Sequence, residues 1–159
     1  MSQFESKFES LSAVPQKKYR NHSQRVMLNI LYTSNWMSER IKAVLDPEGV
    51  TMQQFNIMRI IRGAQKPLSL IQIKESLLDK MSDTSRVVDR LIIKGLVEKS
   101  QSEADRRVLE ITLTKKGLKV LDDIDKRDAD LDGIVNGITD EESLELCRIL
   151  DKIRGYRHN

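Results

Sequence analysis

Residues 81–117 read MSDTSRVVDRLIIKGLVEKSQSEADRRVLEITLTKKG. Over 82–94 the apolar Val87, Val88 and Leu91 fall on one side of a helix. Asp83, Arg86 and Arg90 fall on another, at i, i+3 and i+7. Ser82 stands where an N-cap is expected, and Gly95 where a left-handed residue closes a C-terminus. LVEKS and VLEITLT then alternate in period two around the polar tip SQSEADRR, which predicts a β-hairpin. Thr114 predicts the cap of the next helix, over about 115–135.

Upstream of this stretch, two helix starts carry capping boxes with hydrophobic staples. Thr51 and Gln54 are flanked by Val50 and Phe55, and Ser69 and Gln72 by Leu68 and Ile73. The first predicts a helix ending near Gly63, the second a short one over about 70–78, with Pro67 between them. Earlier still, 16–45 reads as one long helix stopped by DPEG at 46–49. Val26, Ile30, Met37, Ile41 and Val44, flanked by Met27, Leu31, Trp36 and Leu45, give it an apolar face wider than a lone surface helix needs. Downstream, the helix capped by Thr114 carries Leu118, Leu121, Ile124 and Leu131. The last helix opens on a third box, Thr139 and Glu142, and shows Leu146, Leu150 and Ile153 on one stripe. Residues 1–15 read as a loose arm.

The order is mainly α: a winged helix-turn-helix inserted between helices that need something else to bury them. At 159 residues the chain suits one domain. Its 39% hydrophobic and 32% charged residues give a globular protein with a charged surface. The net charge of +3 allows a polyanionic partner without demanding one, so the placement of charge matters more than its sum.

The quoted stretch suits duplex DNA. The N-terminal turn of a helix offers free N–H groups to phosphate, and the short side chains of Ser82, Thr84 and Ser85 allow close approach. An arginine there can bind guanine O6 and N7 through two bonds, a contact of about 1–3 kcal/mol in discrimination. Arg86 is placed for that role, and Arg90, a turn further on, for a phosphate or for bracing the wing. Lys99 is a further backbone candidate. Arg106 and Arg107, at a ribbon tip, are not core residues, and a ribbon beside a major-groove helix meets the minor groove, whose potential attracts arginine. Asp105 is expected to orient an arginine rather than touch DNA.

VDRLIIKGLVEKSQSEADRRVLEITLTKKG resembles the signature of the MarR (multiple-antibiotic-resistance regulator) family. That pattern is a recognition helix ending in DRL-x-x-KG-L-V, a wing with D-x-R, and LT-x-x-G; here the last two are 105–107 and 113–117. TMQQFNIMRII resembles the family's second helix. The likeness covers 51–117 in pattern and about 25–157 in architecture. It implies a homodimer held by N- and C-terminal dimerisation helices, 16–50 and 118–157, with 51–117 as the DNA-binding lobe. It implies a pseudo-palindromic operator, most often repressed, and makes Arg107 the minor-groove residue. It also implies a small aromatic ligand, for which Tyr32, Trp36, Met37 and Met58 are candidates beside a reading as plain packing. The polar, acidic SQSEAD departs from the pattern.

Other readings are weaker. Cys147, the single cysteine, shares the register of Leu144 and Leu150 and reads as a small buried residue. His22 and His158 belong to no ligand-spaced cluster, so neither metal nor cofactor is expected. The acidic 122–132 segment should face away from phosphates. The N-terminus lacks an apolar signal segment and no run spans a bilayer, so the cytoplasm is expected. No nucleophile with its base or phosphate-cradling glycine loop is visible, which speaks against an enzyme. The competing class is a winged helix kept as a protein-interaction module without DNA binding.

Overall fold

The side chains of Thr51, Ser69 and Thr139 each accept a hydrogen bond from the backbone N–H three residues on, and the side-chain oxygens of Gln54, Gln72 and Glu142 each accept the backbone N–H of the cap residue. All three expected capping boxes are therefore complete. They fix the starts of helices in a computed structural model that describes residues 19–77, 83–101 and 107–156. The elements are α1 (His22–Leu45), α2 (Met52–Ala64), β1 (Leu68–Ser69), α3 (Leu70–Ser76), α4 (Thr84–Ile93), β2 (Val97–Gln101), β3 (Leu109–Leu113), α5 (Lys115–Asp125), α6 (Asp128–Asp132) and α7 (Asp140–Ile153). No helix among the described residues is long and apolar enough to cross a membrane.

The chain divides after Glu39 into two compact units. In the first, α1 begins at His22 rather than near residue 16, because Asn21 Oδ1 accepts the Gln24 N–H at 2.9 Å and so caps the helix. The Arg25 guanidinium lies over the Tyr19 ring, 6.0 Å from its centroid. The apolar face read from the sequence is open here: Val26, Met27, Ile30 and Leu31 are exposed.

In the second unit, a 3-10 turn, Asp46–Glu48, follows α1 and ends at Gly49 with φ of 63°. One core collects Leu45 and Val50, Phe55 and Met58 of α2, Ile73 of α3, Val88 and Leu91 of α4, Ile111 of β3, and Leu121 and Ile124 of α5. Burying a side chain of this size contributes about 1.5–3 kcal/mol, so these helices are held by their inner faces more than by propensity. β3 is central in an antiparallel sheet of order β1-β3-β2, with Val97 opposite Leu113 and Leu68 opposite Ile111. The hairpin was expected; β1 was not, since two residues are too short to show a period.

Three further boundaries differ from the sequence reading. α2 passes Gly63 and closes on Gln65, which takes the left-handed φ of 53°. α4 is capped by Asp83, not Ser82, and Ser82 lies outside the described residues. The long helix expected over 115–135 is broken after Asp125. Arg127 leaves helical geometry (φ −112°, ψ 18°) and reaches back, donating to the Val44 carbonyl at 2.6 Å and to Glu48 at 2.8 Å.

Arg62 of α2 grips Asp125 of α5 through two bonds, Nη1 to Oδ2 at 2.6 Å and Nη2 to Oδ1 at 3.0 Å. These hydrogen bonds hold the Asp125 carboxyl below its ordinary range, against a partial burial that pushes the other way, and they raise the guanidinium. On α7 the expected stripe is open at Leu146 and Ile153 and half-buried at Leu150, and Leu144 and Ile149 beside it are exposed. Cys147 is exposed with them, which corrects its reading as a buried residue. No inner face surrounds it in the single chain.

Candidate nucleic-acid interface

α4 divides as its spacing predicts. Val88 and Leu91 are fully buried and Val87 is half-buried, while Ser85, Arg86 and Arg90 are exposed. Thr84 departs from expectation. It is only 4% exposed, so it serves the fold rather than the surface of the N-terminal turn. A shallow cleft between α3 and this turn is lined by Leu70, Ile71, Lys74, Asp83, Thr84 and Ser85.

The first turn is organised by Asp83. One carboxylate oxygen accepts the Arg86 backbone N–H at 3.3 Å, and the other lies 3.1 Å from Arg86 Nε. One short side chain thus caps the helix and holds its first exposed arginine. Asp89 is differently engaged, taking Lys99 Nζ of β2 at 2.9 Å. Lys99 with Asp89 therefore braces helix to wing, one of the two roles that the sequence left open to Arg90. A lysine held that way is a less available backbone contact than expected.

The C-terminus of α4 is fastened more firmly. Gly95, with φ of 68°, lets its N–H reach the Ile92 carbonyl at 2.8 Å and lets Leu96 N–H reach Leu91 at 2.9 Å. This pair of bonds is a Schellman closure. The carbonyls of Lys94, Gly95 and Leu96, at and just past the helix end, are all taken by the start of α5. Lys116 Nζ donates to the Lys94 carbonyl at 2.8 Å, Thr114 Oγ1 to Gly95 at 2.7 Å, and Thr114 N–H to Leu96 at 3.1 Å. Thr114 Oγ1 also accepts the Gly117 N–H at 3.0 Å, capping α5. Gly117 packs against this joint so closely that an added Cβ would lie 2.1 Å from the Leu96 oxygen. The LT-x-x-G motif has a plain physical meaning: it buttons α5 onto the end of α4.

Lys94 also crosses to α2, donating to Gln54 Oε1 at 3.0 Å and to the Gly49 carbonyl. No local spacing announces this bond, since its partners are 40 and 45 residues away.

Of the wing-tip residues, Arg107 is exposed beside the start of β3. Ser82, Asp105 and Arg106 lie outside the described residues, so the proposed Asp105 brace does too. The ligand candidates fall in different places. Met58 is completely buried in the core of the second unit, and Tyr32, Trp36 and Met37 are half-buried along α1.

A helix pair followed by a two-stranded wing is a fold this chain shares with solved structures. A variant of Escherichia coli MarR complexed with operator DNA superposes with a TM-score of 0.73, at 24% identity, over 80% of this chain and 92% of that one. The sequence profile of the MarR family matches residues 50–109, which run from the cap of α2 to the first residue of β3. Over these residues the chain resembles the MarR family. Among curated MarR-type relatives, the transcriptional repressor MdtR of Bacillus subtilis is 27% identical over 110 residues, 69% of this chain and 70% of MdtR. Bordetella bronchiseptica BpsR, whose DNA binding is regulated by 6-hydroxynicotinic acid, has a TM-score of 0.74 at 18% identity, covering 87% of this chain and 99% of BpsR.

Proposed function

We propose that this chain is a sequence-specific, homodimeric DNA-binding regulator of the MarR type, acting in the cytoplasm as a repressor at an inverted-repeat operator. The observation that carries the reading is the exposed edge of α4. Ser85, Arg86 and Arg90 face solvent on a helix whose other side is buried and whose far end is fastened. A rigid helix of this kind enters a major groove without loss of order, Arg86 reading a guanine edge and Arg90 meeting a phosphate. Arg107 serves the adjacent minor groove.

The exposed apolar residues of α1 and α7 support a dimer. Apolar stripes of this length on two helices are costly to leave in water, and a second copy would cover both. In a dimer the two recognition helices enter successive major grooves about 10 bp apart. The operator-bound MarR structure and the regulation of BpsR by an aromatic acid support the DNA target and a small aromatic effector. Such a ligand would act by binding one spacing of the two lobes better than the other.

Selection of bound duplexes from a random pool, repeated with aromatic acids and phenols, tests this. An inverted repeat whose binding weakens steeply with salt is the expected result. Failure to enrich any sequence at low ionic strength would overturn it.

A further inference from the structure

We propose that Asp83 is a specificity-determining residue: it holds the Arg86 guanidinium by Nε and leaves Nη1 and Nη2 as a two-donor fork for one guanine. The inference rests on α4 being the major-groove element.

Arg86 has a carboxylate three residues away on either side, Asp83 and Asp89. The structure divides them. Asp89 is taken by Lys99 at 2.9 Å, and Asp83 by Arg86 at 3.1 Å. The Asp83 carboxylate has one oxygen on the Arg86 backbone N–H and the other on its Nε, so both ends of the same residue are tied to a single neighbour. The Arg86 and Asp83 side chains are 80% and 57% exposed. An ion pair so open to water is weak, and it favours this direction of the guanidinium by about fivefold at most. An arginine biased in this way turns its planar end toward one direction before DNA arrives, so less freedom is lost on binding.

The charge acts a second time. A carboxylate at the N-terminus of α4 occupies the place where free N–H groups and the helix dipole would attract any phosphate. It therefore weakens sequence-independent binding while Arg86 supplies the sequence-dependent part, which raises the ratio of the two.

The test uses the full chain with Asp83→Ser and Asp83→Asn. Both replacements cap helices about as well as aspartate but carry no charge. Binding by fluorescence anisotropy is compared on the selected operator and on duplexes with one base pair changed, beside Arg86→Ala and the double variant Asp83→Ser/Arg86→Ala. Both Asp83 variants are expected to keep the unfolding midpoint. They should lose about two- to fivefold of the preference at the one G·C pair where Arg86→Ala abolishes it. Random-sequence duplexes should bind more tightly, and the double variant should lose nothing beyond Arg86→Ala. Wild-type preference in both Asp83 variants, or an equal further loss in the Arg86→Ala background, would overturn the proposal. If the wild-type chain selects no sequence, the DNA reading itself fails. If it selects one and the Asp83 variants match it, only this inference falls.

Discussion

A Cβ on Gly117 would stand 2.1 Å from the Leu96 carbonyl oxygen, a backbone atom that no rotamer change moves aside. Gly63, by contrast, has open space around its Cβ position and sits in the last turns of α2. The two glycines should respond oppositely to alanine. Gly117→Ala is expected to destabilise by about 1–3 kcal/mol or more, as overpacking does. Gly63→Ala should stabilise by up to about 1 kcal/mol, since glycine costs a helix that much. Urea unfolding followed by circular dichroism reads both signs. Arginines divide in a similar way. Arg86→Ala should lower discrimination at one base pair by about 1–3 kcal/mol, while Arg107→Ala should lower affinity mainly at A·T-rich flanks. Gel shifts on operator variants separate the two outcomes, and a series in which neither change matters would defeat both assignments.

Between elements, the contacts that set the geometry join residues far apart in sequence. Arg62 and Asp125 tie α2 to α5 across 63 residues. Because the Asp125 carboxyl is held below its unfolded value, the pair contributes its stability above pH about 3.9 and loses it as pH falls through the lower folded value. Both side chains are about one-third exposed, so solvent screening keeps the contribution to about 1 kcal/mol or less. Asp125→Asn should therefore flatten the acid limb of a stability-against-pH curve and leave the neutral region lower by that amount. An unchanged acid limb would remove the pair from the ledger. Such ties also explain what was legible beforehand. Capping boxes at Thr51, Ser69 and Thr139 and the left-handed Gly95 are local i to i+3 or i to i+5 events, so spacing alone predicts them. The break after Asp125 was hidden because Arg127 answers to Val44 and Glu48, 83 and 79 residues away. Thr84 looked like a surface hydroxyl and is buried, because it stands four residues before Val88 and seven before Leu91, on the inner face of α4.

For the whole molecule, the informative surface is the one the single chain leaves open. Leu146 and Ile153 on α7 are 47% and 55% exposed, and Val26 and Leu31 on α1 are 48% and 55% exposed. Replacing Leu146 and Ile153 together by glutamate should yield a monomer by light scattering, with operator affinity reduced at least tenfold because two half-sites are no longer gripped at once. Retention of a dimer would move the interface elsewhere. The same experiment bears on Cys147, whose exposure in one chain becomes slow reaction with a thiol reagent if a second copy covers α7.

The joint between α4 and α5 is made on the α4 side by three main-chain oxygens, those of Lys94, Gly95 and Leu96. Main-chain oxygens are the same whatever residue bears them. The exposed edge at Ser85, Arg86 and Arg90, proposed above to read DNA, is consequently free to mutate without loosening the mount that holds it. New target sequences are then reachable by single steps at the tip, each passing through a folded intermediate, which makes this scaffold well suited to laboratory retargeting.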